Sequence, residues 1–347
     1  RLGIKTLIVD EIHYAKNPRA KRTKAVYRLA KQAKHVLGLT GTPIVNDGVD
    51  EIYTIGKIIN PEIFNNYAAF SRRFANRPRE LNEFLRKTIM IRRLKKDVLK
   101  ELPQKVRIPM KVEVESKGLN EVRLELVQLV VELYKKYGYI NPDAPEFKAK
   151  VLPLFDRFRY EAGKAKIPAA LELIRQIVVQ GDKVVLFAHH REVIDATVKL
   201  LSKMGIPAVK IVGGMTDKKK YEVANAFQEN DEIKVVVASI QATAEGIDLT
   251  ASNYAVFLQV DWTPAKNLQA EDRLHRIGQE KPVFSYWLIA KDTLDEHVVH
   301  RLLKKIDFID KAVDSSERGE ELVESARHWK KFVAETLAEL RAQGLKL

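Results

Sequence analysis

There is no cysteine among the 347 residues. That removes disulfide staples and thiolate metal ligands, so neither a stapled scaffold nor a cysteine-bound zinc module organises the chain. No apolar run approaches the roughly 20 residues that a membrane-spanning helix needs, and no stretch reads as a secretory signal. The expectation is an intracellular protein with no membrane partner. Internal repeats and low-complexity tracts are also missing, which excludes a solenoid. The phosphate-cradling pattern G-x-x-x-x-G-K-[S/T] does not occur. Gly56-Lys57 and Gly163-Lys164 each lack both the earlier glycine and the following hydroxyl.

Hydrophobic residues make up 46% and charged residues 31%, the balance of a globular protein whose length suggests two domains, each with its own core. The formal charge is +14, and its location matters more than its size. Residues 1–117 hold 26 lysines and arginines against 12 acids, while the remaining 230 hold 34 of each. The whole excess lies in the first third, the electrostatic footprint of a polyanion-binding region. The alternative is that part of it faces another protein segment.

Two stretches carry the chemistry. QAEDRLHRIGQ, residues 269–279, sets Arg273 and Arg276 three apart on what reads as a helix over 264–276, where they would share a face. A guanidinium fork matches phosphate oxygens. Alone, such a pair reads as a charged surface helix. TLIVDEIH, residues 6–13, is an apolar strand ending in Asp10 and Glu11. A strand delivering two acids to its C-terminal edge is where an α/β nucleotide-hydrolysing site holds Mg²⁺ and a water.

In chain order, a helix is expected from the Asn17-Pro18 cap to about Lys34, then a strand over 35–39 ending in Thr40, Gly41 and Thr42, whose hydroxyls can bond to the acidic turn. An amphipathic helix over 47–59 puts Ile52, Ile55 and Ile59 inward, and an aromatic-basic stretch fills 64–79. Arg92, Arg93, Lys95 and Lys96 form the most basic cluster, suited to DNA phosphates or to a solvated face. A strand over 104–115, a helix over 119–137 and a linker-like 138–145 follow. From Lys164 the pattern alternates as βαβ units: helix 167–180, strand 183–188, helix 191–204, strand 208–212, helix 216–228 and strands 233–238 and 254–258. Alternation of this kind means a parallel sheet covered by helices. In AEGIDL, residues 244–249, Gly246 permits close backbone approach and Asp248 can orient an arginine or a ribose. His189-His190 and His297-x-x-His300 lack further ligands at metal spacing. A last amphipathic helix is expected over 320–340.

DEIH (10–13), LTGTP (39–43), AEGIDL and QAEDRLHRIGQ stand in the order found in superfamily 2 helicase-like ATPases. HRIGQ, its Trp262-Thr263-Pro264 lead-in and the run over 88–105 resemble the Swi/Snf family, closest in pattern to its annealing-helicase branch. The resemblance covers about residues 6–303. It implies an α/β fold of two RecA-like lobes with parallel sheets covered by helices, the first lobe incomplete and helical protrusions between lobes. The expected domains are 1–117 for the first lobe, 118–163 for the protrusion and linker, 164–312 for the second lobe and 313–347 for a C-terminal helix. It implies a DNA-dependent ATPase translocase acting on double-stranded or branched DNA without sequence preference. ATP would sit between the lobes, Asp10 holding Mg²⁺ through water, Glu11 polarising the attacking water, and Arg273 and Arg276 reaching the γ-phosphate. His13, Thr40, Gly41, Thr42, Gly246, Asp248 and Gln269 would contact ATP or couple it to DNA. A regulatory protein partner fits the family too. Two points depart from its pattern: Ile12 stands where small residues are common, and Ala244-Glu245 where another glycine is usual. Lacking the phosphate loop, these residues alone are expected not to hydrolyse ATP. A non-hydrolysing nucleic-acid scaffold and an RNA helicase are the alternatives.

Overall fold

The structure, a computed structural model, describes residues 3–41, 49–75, 77–93, 98–137, 145–243, 246–291 and 293–309. Thr42, Lys95, Lys96, Ala244, Glu245, most of the linker-like stretch and the helix expected over 320–340 lie outside them. The chain divides into two compact units. One holds the residues up to Lys100 with two short later segments, Thr263–Ala265 and, among the described residues, 302–309; the other begins at Glu101.

In the first unit, β1 (Thr6–Val9) and β2 (His35–Gly38) pair in parallel, joined by helix α1 (Lys21–Ala30). The helix is shorter at both ends than the Asn17-Pro18 cap suggests. The Asn17 side chain accepts the Arg19 N–H at 2.9 Å in a local turn, and the chain is still extended at Ala20. At the other end Lys34 and His35 donate their N–H groups to Ile4 and Lys5, so sheet pairing takes the residues a longer helix would use. Helices α2 (Val49–Ile59), α3 (Tyr67–Phe74) and α4 (Pro78–Thr88) follow. Asn66 caps α3 through the Ala69 N–H, and Pro78 opens α4, where its missing N–H costs nothing. The aromatic-basic stretch turns out to be core. Phe64, Phe70 and Phe74 pack with Tyr53 and Phe84, neighbouring centroids 4.8–6.1 Å apart, and Arg73 lies over the Phe74 and Phe84 rings from outside.

Ile12, the departure in the acidic motif, has a direct physical account. It is 1% exposed, and a Cβ built on Gly38 would lie 2.7 Å from its Cδ1. The bulk at position 12 is accommodated by the missing side chain at the end of β2.

The second unit is a six-stranded, wholly parallel sheet in the order β3-β8-β7-β4-β6-β5. Its strands are β3 (Lys105–Val112), β4 (Val184–Ala188), β5 (Ala208–Ile211), β6 (Val235–Ser239), β7 (Tyr254–Phe257) and β8 (Val283–Ala290). β4 is buried at every residue, as a central parallel strand covered on both faces must be. β3, counted above with residues 1–117, pairs along its whole length with β8 and so belongs to this sheet. α7 (Arg191–Lys203), α8 (Asp217–Glu229), α9 (Pro264–Glu271) and α10 (Leu294–Ile309) complete the helices after β4.

Before β4 come α5 (Lys117–Tyr137) and α6 (Pro145–Val179). The latter runs 35 residues through Pro153 and Pro168, although an internal proline costs about 3 kcal/mol. Packing offsets this. Phe155, Phe158 and Ala162 bury against Leu119, Val122 and Leu126 of α5, while Ile167, Ala170 and Ile174 bury in the sheet's core. Gly163 brings α6 against the C-terminal end of β7: a Cβ there would lie 2.4 Å from the Gln259 Nε2.

Gly38→Ala should therefore destabilise the first unit by about 1–3 kcal/mol, the usual range for overpacking. Ile12→Ala combined with Gly38→Ala should lose less than the sum of the two single changes. Denaturant melts of the four proteins check this; additive effects would mean that the two positions do not share one space.

Candidate functional site

At the C-terminal edge of β1, the acidic turn is built on an unusual backbone. Glu11 has φ 47° and ψ 48°, left-handed, and is the one non-glycine with positive φ among the described residues. Such a conformation costs about 1–3 kcal/mol and persists where surroundings fix it. Here the Ile12 N–H donates to Leu39 O at 3.0 Å, the Tyr14 N–H to Glu11 O at 2.9 Å, and the Glu11 N–H to Asp10 Oδ1 at 2.9 Å. Both acids are exposed, while His13 is buried beneath them. His13 Nδ1 stands 3.0 Å from Glu11 Oε2 and 2.9 Å from Thr40 Oγ1. Burial pushes the His13 pKa below its usual value; Glu11 and Glu51 oppose that shift, and Lys16 adds to it. The expected link from the residue-40 hydroxyl to the acidic turn thus exists, with His13 as its middle member. Gly41 O accepts a hydrogen bond from the Arg92 guanidinium at 3.1 Å, which ties the basic segment to the same loop.

In the second unit the two arginines are not on one helix face. α9 ends at Glu271, and Asp272 to Gln279 is a series of tight turns. Two carbonyls that a longer helix would use are taken: Arg273 O accepts the Leu249 N–H at 2.9 Å, and Asp272 O accepts Arg276 Nε at 3.0 Å. Arg273 is consequently buried, donating to Ile247 O at 3.4 Å, whereas Arg276 is partly exposed and donates to Asp248 Oδ1 at 2.5 Å. Asp248 orients an arginine, as its position suggested. Gly246 has φ 74°, which glycine adopts without steric penalty. Gln269 is half-buried in α9. Gln279 closes the loop, its amide donating to Thr250 O, Ser252 O and Leu274 O.

One residue that sequence reasoning passed over holds this loop. Glu271 is fully buried, its carboxylate meeting Arg107, Lys105, Ser285 and Trp287 at 2.8–3.2 Å. Burial alone would raise its pKa; Lys105 and Arg107, with hydrogen bonds from Arg107 and Ser285, overcome that and hold it at about 2. The alternation of cations at 105 and 107 in β3 was the available signal.

Asp156 joins His189 and His190, with ligand atoms within 4.8 Å of one another. The hydrogen bonds argue against a metal there. Gln259 Oε1 accepts the His189 and His190 backbone N–H groups, so its amide nitrogen must be the donor to Arg159 O and to His190 Nδ1. His190 Nε2 then carries a proton facing Asp156 at 3.3 Å. His189 is pushed down to about 4 by burial and then by Arg159, whose charge also opposes a cation.

A parallel sheet carrying its arginines in the loop after α9, preceded by an acidic strand-and-turn unit, defines a protein of the superfamily 2 helicase-like class with RecA-like architecture. Residues 1–121 match the SNF2-related domain and residues 165–278 the helicase conserved C-terminal domain. The chain belongs to the Swi/Snf family of these proteins. It is 31% identical over 341 residues to the SWI/SNF-related matrix-associated actin-dependent regulator of chromatin subfamily A-like protein 1 of Xenopus tropicalis, covering 94% of this chain and 35% of that protein. It is 31% identical over 312 residues to the human DNA annealing helicase and endonuclease ZRANB3, covering 84% of this chain and 28% of the relative. The chain thus spans about a third of the length of these relatives. The SWI2/SNF2 ATPase core of Sulfolobus solfataricus, solved in complex with dsDNA, shares the fold with a TM-score of 0.51 and 23% identity, over 90% of this chain and 69% of that one. No described helix is long and apolar enough to cross a membrane.

A depressed carboxyl pKa stabilises the fold above the unfolded value of about 4.3, and that contribution is lost as pH falls through the folded value. Glu271→Gln should therefore lower the melting temperature at pH 7, and the gap to the parent should narrow as pH falls from about 4.5 to 2. A gap independent of pH would mean that the charge of Glu271 is not what stabilises.

Proposed function

We propose that this chain supplies the hydrolytic acids, the arginine loop and a DNA-gripping segment of a DNA-dependent ATPase that translocates on double-stranded or branched DNA. One observation carries this reading: an Asp-Glu pair on a strained turn at a strand's C-terminal edge, wired through His13 to Thr40, in a chain that also presents Arg276 on Asp248. ATP is the substrate. Asp10 and Glu11 are exposed oxygen donors, the ligand type Mg²⁺ takes, and Asp10 would hold it through water. When bound, that ion would neutralise charge on the phosphate oxygens.

The chain's own residues divide the remaining work. Glu11 orients and polarises the attacking water, its carboxylate kept in place by His13. Thr40, bonded to His13, reports the state of the acidic turn to the segment carrying Gly41 and Arg92. Arg276 leaves Asp248 for the transferred phosphoryl group, where a fork of N–H donors stabilises developing charge. Arg273, buried against Ile247, sets the loop's shape and contributes field rather than direct contact. Arg92 and Arg93, with Lys95 and Lys96, grip DNA phosphates, which carry no base code, so binding is indifferent to sequence. The named actions of the relatives, annealing above all, fit a motor of this kind. A DNA substrate implies a protein that works inside the cell.

In the full-length protein, Arg276→Ala should lower DNA-stimulated turnover by about 10³-fold, the scale of arginine fingers elsewhere, while nucleotide affinity changes far less. Glu11→Gln should retain ATP unhydrolysed. Turnover within a few-fold of the parent would sink the assignment, and nucleotide binding with no hydrolysis in the parent itself would favour a scaffold.

Replacing Arg92, Arg93, Lys95 and Lys96 by glutamate should weaken binding to every duplex alike. The dependence of log affinity on log salt should flatten by roughly 0.9 for each phosphate that is no longer neutralised. An unchanged slope with a lowered melting temperature would make the cluster structural.

A further inference from the structure

We infer that the segment Pro103–Arg107 is a positioning strap for the arginine loop, acting through Glu271, Asp272 and His275. The inference rests on the proposed role of Arg276 and adds to it the element that sets where the loop sits. Three attachments carry it. Arg107 grips Glu271 Oε2 with two nitrogens, Nε at 2.9 Å and Nη2 at 2.8 Å. Lys105 lies 3.2 Å from Glu271 and 3.1 Å from Asp272. The Pro103 carbonyl meets His275 Nε2 at 2.7 Å; a carbonyl only accepts, so that nitrogen is the donor.

Five consecutive residues therefore hold three of the five positions 271–275, each within two residues of an arginine. The opposite side of the loop is held separately, by the Leu249 N–H on Arg273 O and by the Gln279 amide on Thr250 and Ser252. Arg276 lies between these two sets of bonds, itself bonded to Asp248. A buried ion pair that served stability alone could be replaced by apolar packing with little loss. This arrangement has a second property: the strap is the entry to β3, and a displacement of that entry is passed to the loop by bonds rather than by soft packing. Arg93 stands only ten residues before Pro103 in the chain, so a short covalent stretch separates the proposed phosphate grip from the strap.

The test uses the full-length protein with Lys105→Gln, chosen because Lys105 is partly exposed and Glu271 keeps Arg107, so the sheet should fold. Arg107→Leu is the stronger variant and Lys105→Arg the conservative rescue. Hydrogen exchange of the amides in 272–279 should quicken about tenfold or more in Lys105→Gln, with β4 and β6 unchanged and Lys105→Arg close to the parent. DNA-stimulated kcat should fall about tenfold or more, while the KM for ATP stays within about threefold. Exchange that is unaltered in the loop, or quickened equally in β4 and β6, overturns the strap. So does a loosened loop with normal kcat in a protein that Arg276→Ala inactivates. If Arg276→Ala leaves turnover intact, the proposed function has failed instead, and the exchange measurement still decides whether the strap holds the loop.

Discussion

A carboxylate wholly removed from water stays ionised only if positive charge and hydrogen-bond donors replace its hydration shell. Glu271 meets that condition with Arg107, Lys105, Ser285 and Trp287, and much of the second unit follows from it. The donors come from β3 and β8, so the ionic cluster joins the edge pair of the sheet to the end of α9. The helix stops at the same residue, and the turns beyond it are free to aim Arg273 inward and Arg276 outward. Moving the acid by one position would take its carboxylate away from Arg107, Ser285 and Trp287 and break the cluster.

Much of this was legible in the sequence because it depends on local pattern. Apolar runs such as Val184–Ala188 and Val235–Ser239 announce central parallel strands, and the Asp10-Glu11 pair after such a run marks a strand's C-terminal edge. What escaped depends on partners distant along the chain. The strand over 105–112 alternates like any other, and nothing local says that it pairs with 283–290, a strand that periodicity alone does not set apart. The helix expected over 167–180 begins far earlier, because burial on both sides of Pro168 carries one helix through it. The arginine spacing fitted a helix, yet the Leu249 N–H claims a carbonyl that the helix needed. Candidate site residues stood out where their chemistry is unusual. Glu271 was overlooked because a glutamate in a charged stretch looks like surface until its neighbours are known.

Two glycines show how missing side chains place functional ones. Gly38 gives Ile12 the volume that would otherwise force the acidic turn outward, and Gly163 lets the Gln259 amide lie against α6. That amide in turn selects the tautomer of His190, so a missing side chain on a helix sets which ring nitrogen faces Asp156 as donor. Neither glycine is needed for positive φ; each is needed for space.

The left-handed Glu11 has a consequence for how this protein can change over time. Glycine would relax the backbone at that position, since it takes positive φ without steric penalty. Yet the same exchange would delete the carboxylate beside His13. A lineage selected only for robustness would drift toward glycine there. One that keeps glutamate carries a permanently strained turn, the conformational cost of holding a carboxylate beside His13.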